Sequence, residues 1–408
     1  MAQTDVVIVG AGLAGLCCGL ALSERGVSVR IVEASDGVGG RIRTDHFEGF
    51  LLDRGFQVLL TAYPEARRLL DYPALDLQAF EPGALVQFNG DRYKVVDPWR
   101  KPMEALGTVF SPIGTAADKL LVARLRSQVM KGDYRELFLR SETTTEARLT
   151  EAGFTASMID RFFRPFFGGI LLDSGLGVSS RMFDFVFRML ACGDNALPAR
   201  GMEEIPKQLA ERLPAGSLRL NAVAAGVDAA GVTLADGERV EANAVVVACD
   251  APRAADFAPA AAAVGSRRVA CFYYDAPEPP VEGGWLVLNG DGTGPINNLC
   301  VPSSVAPAYA PPGRALVSVS VLTEVTDTQV REQLGYWFGA GVREWTHLRT
   351  YQIRHAQPAA ADLSEDGRSV RVRPGLYVAG DHVTTPSIQG AMVAGARAAQ
   401  AVLDDARG

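Results

Sequence analysis

Val6, Val7, Ile8 and Val9 are four consecutive β-branched residues with no polar residue among them, as in a strand buried on both faces of a parallel sheet. Apolar residues then recur at helical spacing over 13–25, and Gly26 stops the run. Residues 27–32 predict a second strand ending in Glu33, which completes one βαβ unit. Strands are expected at 84–88 and 93–96 around the Asn89-Gly90 turn, within an otherwise irregular stretch from 61 to 100. Residues 101–192 read mainly as helices, punctuated by Pro102, Pro112, Gly132, Gly153 and Pro165. A helix at 202–212 and strands at 218–223, 231–234 and 244–248 follow, with Asp236-Gly237 as a tight turn. The Ala/Pro stretch 251–264 reads as a surface connection, and 269–274, 285–288 and 315–322 read as strands. The chain returns to α/β character with a strand at 375–379 and a helix at 389–403.

Elements of βαβ type thus occur at both ends and near the middle. The expected fold is α/β: a doubly wound, Rossmann-like domain assembled from 1–62, 196–263 and 364–408. A second domain from 63–195 and 264–363 would be inserted in pieces as a mixed sheet capped by helices. The length of 408 residues, 48% hydrophobic and 21% charged, suits two or three domains with a large core.

The net charge of −7 argues against a nucleic-acid partner and gives no broad basic footprint for an anionic membrane. Residues 6–22 are uncharged, but Asp5 and Glu24 bound them, no basic residue precedes them and four glycines interrupt them. Neither a signal peptide nor a membrane span is expected there, and the expected location is the cytoplasm. The six cysteines form no CxxC pair, sit mostly in apolar runs and read as reduced core thiols. His46, His347, His355 and His382 show no metal-ligand spacing, so no metal site is expected.

Gly10-Ala11-Gly12-Leu13-Ala14-Gly15 lies between the first strand and the first helix. Gly10 permits the tight turn, Gly12 lets backbone approach a pyrophosphate, and Gly15 lets helix and strand pack closely. The amides at Leu13 and Ala14 open the helix, where the dipole favours an anion. Glu33, at the tip of the second strand, can accept both ribose hydroxyls and would repel a 2′-phosphate. A second glycine turn, Gly37 to Arg43, brings Gly39, Gly40 and Arg41 to the same diphosphate.

With these three features the chain resembles the flavoprotein superfamily of amine oxidases, protoporphyrinogen oxidases and phytoene desaturases. A C-terminal stretch is similar to the same superfamily: Leu376 to Asp381, then Ser387-Ile388-Gln389-Gly390-Ala391-Met392. The resemblance implies FAD as cofactor, with Gly380-Asp381 at the ribityl chain or phosphate edge. It also implies that the helix through Gln389, Gly390, Ala391 and Met392 points its N-terminus at the flavin pyrimidine, and that the Val223 backbone lies against adenine. Some relatives attach flavin through a cysteine near this motif; none follows Cys300, so the FAD is expected to be noncovalent. There is no second GxGxxG, so the electrons are expected to come from an organic substrate, with O2 or a quinone as final acceptor.

Residues 52–64, ending in Ala62-Tyr63-Pro64, are similar to plant-type phytoene desaturases and bacterial hydroxysqualene oxidoreductases. That likeness nominates Gln57 and Tyr63 for the flavin pocket, with a core role for Tyr63 as the competing reading; no catalytic acid or base is evident. Phe162, Phe163, Phe166, Phe167, Phe183, Phe185 and Phe187 read as core, or else as the wall of an apolar substrate tunnel or a shallow membrane-docking face. Many amine oxidases of the superfamily hold a water near flavin N5 with a lysine; here that place falls near Val269, and no lysine follows Lys207. The expected function is therefore transfer of a hydride from a lipophilic, isoprenoid-type substrate to flavin N5. Tetrapyrrole oxidation and then amine oxidation are the alternatives, and an FAD-binding redox-sensing or structural module is the non-enzymatic one. A lipophilic substrate leaves room for a peripheral contact with the inner face of a membrane.

Overall fold

A computed structural model describes residues 4–109, 111–259, 264–359 and 367–407. Thr4–Val9 is central in an eight-stranded sheet, flanked in parallel by Val29–Val32 and Arg239–Val247, with Ile8 in register with Ile31 and Val246. Leu218–Arg219 extends the sheet beyond Val29–Val32, and Leu376–Val378 pairs in parallel with the far half of Arg239–Val247. The sheet thus takes strands from three stretches of chain distant in sequence. The near half of Arg239–Val247 instead carries an antiparallel meander, Gly231–Leu234 and Ala224–Asp228.

Val7, Ile8, Val245, Val246 and Val247 are wholly buried, as their uninterrupted apolar runs require. The helices Leu13–Ser23 and Ile388–Asp405 pack against each other, and a Cβ at Gly395 would collide with the carbonyl of Ala14. Nine of the eleven residues in Leu13–Ser23 are buried, so this helix is covered on nearly every side.

A second, mixed sheet has seven strands in the order Thr346–Pro358, Ser266–Ala276, Ala315–Val321, Ile296–Cys300, Val287–Asn289, Gly83–Phe88 and Asp91–Val96. Only Val287–Asn289 and Gly83–Phe88 run parallel. Alternate residues serve opposite faces: Phe272 and Tyr274 join Val330, Leu334 and Trp337 of the helix Asp327–Phe338 in one core, while Cys271 and Tyr273 face the main core. The helix Arg164–Leu171 packs on that inner side, against Ile296–Cys300 and Val287–Asn289.

The Asn89-Gly90 turn forms with both residues at positive φ, and the Asp236-Gly237 turn joins two strands as expected. Other expectations are corrected. The strand expected at 218–223 stops at Arg219, because Asn221 turns into the left-handed region. The connection expected from 251 begins with the helix Ala251–Phe257, capped by Asp250; residues 260–263 lie outside the described residues. The helix expected at 202–212 spans only Glu204–Ala210. The hairpin Thr44–Phe47/Phe50–Asp53 and the strand Thr346–Pro358 were not anticipated.

Candidate active site

Between the two sheets lies a cavity of about 810 Å³. Gly10 ends the first strand at φ +106°, where a Cβ would stand 2.8 Å from the carbonyl oxygen of Ala248. A Cβ at Gly15 would collide with the Gly10 carbonyl, so the helix can approach the strand only with glycine there. Gly12 faces open space. It is the N-cap of Leu13–Ser23 and offers no side chain to the first amides, which leaves those donors for an anion.

Glu33 ties the two glycine loops together. Its Oε2 accepts the Ala11 N–H at 2.7 Å, and its Oε1 accepts the Ser35 N–H at 2.9 Å and the Ser35 hydroxyl at 2.7 Å. The Gly39 N–H in turn donates to the Ala11 carbonyl at 2.8 Å. Arg41 donates to Asp381 at 2.7 Å and to the Ala356 carbonyl at 2.9 Å. Burial alone would lower the Arg41 pKa, but Asp381 more than offsets this and holds the guanidinium charged.

Gly10, Gly12, Leu13, Ala14, Glu33, Gly39, Gly40, Arg41, Val223, Gly380, Asp381 and Ala391, all nominated from sequence, line the cavity, as do Gln57 and Tyr63. The Val223 carbonyl is taken by the Ala235 N–H, and its side chain is exposed. Gly15, Gln389, Gly390 and Met392 are not brought to the wall. Gln389 turns away and accepts the Glu65 N–H at 2.9 Å, while Met392 is buried between helix and sheet. The Gly390 N–H is capped by Ser387, which itself faces the cavity.

Gln57 donates to the Arg41 carbonyl at 2.9 Å. Tyr63 stacks on Phe185 with ring centroids 6.0 Å apart. Burial pushes the Tyr63 hydroxyl up against the opposing effect of a hydrogen bond with Ser387, so it stays protonated at neutral pH.

Away from the glycine loops the wall is mostly apolar. Phe56, Phe166, Ile170, Val186, Val269 and Ile353 contribute, and no lysine lines it. Val269 faces Ile353 across the strand pair. The strand Thr346–Pro358 supplies residues 351–357 to the wall, none of them anticipated; its polar composition carried only a faint alternation.

A second chamber, of about 220 Å³, adjoins the first at Phe80, Gly83, Phe166 and Asn195, which line both. Phe162, Phe166, Phe167 and Phe187 line this outer chamber, whereas Phe163, Phe183 and Phe185 are core. A π-helical turn, Ile159–Phe163, leads into the helix Arg164–Leu171 that separates the chambers.

All six cysteines are free; Cys192 is exposed and Cys249 reaches the cavity, so these two are not core thiols. Among the described residues no three potential ligands cluster for a metal. His382 is buried with neither ring nitrogen hydrogen-bonded, and burial holds its imidazole below the usual range.

The family model for flavin-containing amine oxidoreductases matches residues 13–403. Protoporphyrinogen oxidase 2 of Arabidopsis thaliana is 28% identical over 166 residues, 40% of this chain and 32% of that protein. A 4,4'-diapophytoene desaturase of Methylomonas sp is 46% identical over 61 residues, 15% of this chain and 12% of that protein. The matched stretches therefore span no more than 32% of these relatives. Two solved structures share the fold at low identity. An oxidoreductase from Methanosarcina mazei has a TM-score of 0.75 at 17% identity, covering 98% of this chain and 100% of its own. A putrescine oxidase variant has 0.72 at 18%, covering 98% and 99%. The glycine loops, Glu33 and the Arg41–Asp381 pair fit an FAD diphosphate and ribose, and the chain belongs to the flavin-containing amine oxidoreductase family.

Proposed function

We propose that the protein is an FAD-dependent oxidoreductase that oxidises a carbon–carbon unit of a lipophilic, isoprenoid-type small molecule. The observation that carries this reading is the aromatic outer chamber adjoining an inner wall that holds no lysine. The acids on the inner wall are Glu33, Asp250 and Asp381. Glu33 serves the first glycine loop, Asp250 caps a helix and Asp381 pairs with Arg41, so each already has a partner within the protein.

When bound, FAD would supply the two-electron acceptor for a hydride, and the second hydrogen of the carbon–carbon unit would leave as a proton to solvent. The first helix and Arg41 would hold its diphosphate, and Glu33 its ribose. Val269, Ile353 and Phe56 exclude water beside the reacting carbons, and Phe166 with Ile170 orients an apolar chain. Tyr63, protonated at neutral pH, can hold a proton at its hydroxyl oxygen but is a poor base. Tetrapyrrole oxidation is the second reading, favoured by the likeness to a protoporphyrinogen oxidase. The test is anaerobic mixing of oxidised holoenzyme with polyisoprenoids, a porphyrinogen and amines, following flavin bleaching. Saturable reduction by an isoprenoid supports the reading; fast reduction by an amine with isoprenoids inert overturns it.

A peripheral membrane contact belongs to the same reading. Among the described residues no helix is long and apolar enough to cross a membrane. The helices Pro102–Val109 and Ala116–Val129 wall the outer chamber and carry Met103 and Leu120, 81% and 74% exposed. Trp99, Met130 and Leu139 are exposed nearby in sequence, and from Lys94 to Arg135 eight basic residues stand against four acids. Apolar side chains among excess positive charge suit an anionic bilayer.

A further inference from the structure

Two of the polar side chains on the wall of the inner cavity stand side by side. Asn298 and Ser320 are register partners on the adjacent strands Ile296–Cys300 and Ala315–Val321. They are only 4% and 5% exposed, and both line the cavity. Neither side chain has a hydrogen-bond partner among the described residues, and Asn298 Oδ1 is wholly buried without one. Several neighbouring polar groups of this sheet are paired within the protein, Ser318 with Cys271, Tyr273 with the Asp53 carbonyl, and Asn289 with the Thr293 and Ile296 carbonyls, whereas Gln87 is buried without a partner but does not line the cavity. Room for the amide is made by Gly169 on the facing helix, where a Cβ would collide with Asn298 Nδ2.

A hydroxyl and an amide kept in a mostly apolar wall are costly unless a ligand completes their hydrogen bonds. None of the carboxylates on this wall is hydrogen-bonded to Asn298 or Ser320 among the described residues. Of the arginines on the wall, Arg41, Arg54 and Arg253 are each held by an aspartate and Arg354 is exposed on the edge strand, and none of them is hydrogen-bonded to Asn298 or Ser320. The amide and the hydroxyl are themselves uncharged and each can donate and accept, which matches an uncharged group that does both.

We propose that Asn298 and Ser320 are substrate-specificity residues that receive a neutral hydroxyl or carbonyl on an otherwise apolar substrate. This rests on the lipophilic reading above and narrows it from a bare hydrocarbon to an oxygenated lipid. A bare hydrocarbon would leave both groups unpaired, and sites built to bond a hydroxyl discriminate strongly against analogues that lack it.

The test is equilibrium binding to oxidised, anaerobic holoenzyme, read by calorimetry and by perturbation of the flavin spectrum. The probes are farnesol, β-farnesene and farnesylamine, which share one apolar body. Farnesol is expected to bind roughly 10-fold to 100-fold more tightly than farnesene. Ser320→Ala and Asn298→Leu, each checked for unchanged flavin content, should weaken farnesol toward the farnesene value while leaving farnesene binding in place. Ser320→Ala removes a single atom and keeps the test valid if Asn298→Leu fails to fold. Equal binding of farnesol and farnesene, or equal loss of both in the variants, overturns this proposal and leaves the lipophilic reading standing. Tightest binding by farnesylamine, or none by any probe, overturns both.

Discussion

Arg41 and Asp381, 340 positions apart in the chain, form a 2.7 Å ion pair in the wall of the inner cavity. The pair joins the second glycine loop to the C-terminal Gly380-Asp381 turn, and Arg41 also holds the Ala356 carbonyl on the edge strand of the other sheet. Asp381→Asn should therefore loosen both loops and leave Arg41 without its counter-ion. Holoprotein is expected to lose FAD affinity by about 10-fold to 100-fold, the range for a charge-assisted hydrogen bond. Flavin fluorescence on dilution measures this; unchanged retention would remove the pair from the cofactor site.

Glu33 accepts three hydrogen bonds from Ala11 and Ser35 in the protein itself. Glu33→Gln keeps the shape but weakens these bonds, whereas Glu33→Arg would place a cation where, on the proposed reading, ribose hydroxyls need an acceptor. The expected order of FAD affinity is wild type, then Gln, then Arg. Each step should be roughly 1 to 3 kcal/mol by isothermal titration of apoprotein. A Glu33→Arg protein with full flavin occupancy and unchanged affinity would contradict the assignment.

Asp53 sits at the end of a strand beside the cavity loop Arg54 to Gln57, and its carboxylate is wholly enclosed. It accepts from Thr44 at 2.6 Å, from the Met202 N–H at 3.0 Å and from Tyr309 at 2.8 Å. Burial pushes its pKa up to about 6, against these hydrogen bonds and with help from Glu203. Because the folded value lies above the ordinary 3.8, the group favours folding most at low pH and loses that contribution as pH rises from about 4 through 6. Asp53→Asn cannot titrate. Wild type should therefore lose stability relative to the variant across that window, by on the order of 3 kcal/mol, and run parallel to it above pH 7. Urea unfolding at pH 4.5, 5.5 and 7.5 measures the difference; a pH-independent gap would mean that Asp53 does not titrate there.

The exposed Trp99, Met103 and Leu120 predict sedimentation with vesicles containing phosphatidylglycerol and little with neutral phosphatidylcholine. Met103→Glu with Leu120→Glu should abolish it without altering flavin content, since both side chains point to solvent. Trp99 is best left intact, because Arg126 lies 4.6 Å from its ring centre and the two help wall the outer chamber. Equal partition of the double variant would place the contact elsewhere.

The dinucleotide half was legible in the sequence because its determinants are local. Gly10, Gly12, Gly15 and Glu33 lie within one βαβ unit, and the handedness of that unit with its tight turn leaves little choice about where they meet. The chain could not show locally that Arg41 meets Asp381, because that contact depends on how two distant segments dock. Hydrophobic periodicity tells which face of an element is covered but not what covers it. For that reason the phenylalanines of 162–187 divide between core and chamber, and Gln389, on the cavity-facing helix, turns to Glu65. Thr346–Pro358 escaped notice because an edge strand with one face toward solvent and the other toward a cavity carries too few apolar residues to signal itself. The pairing of Asn298 with Ser320 was likewise set by strand register, which brings together two unremarkable polar residues from neighbouring strands and aims them at one ligand.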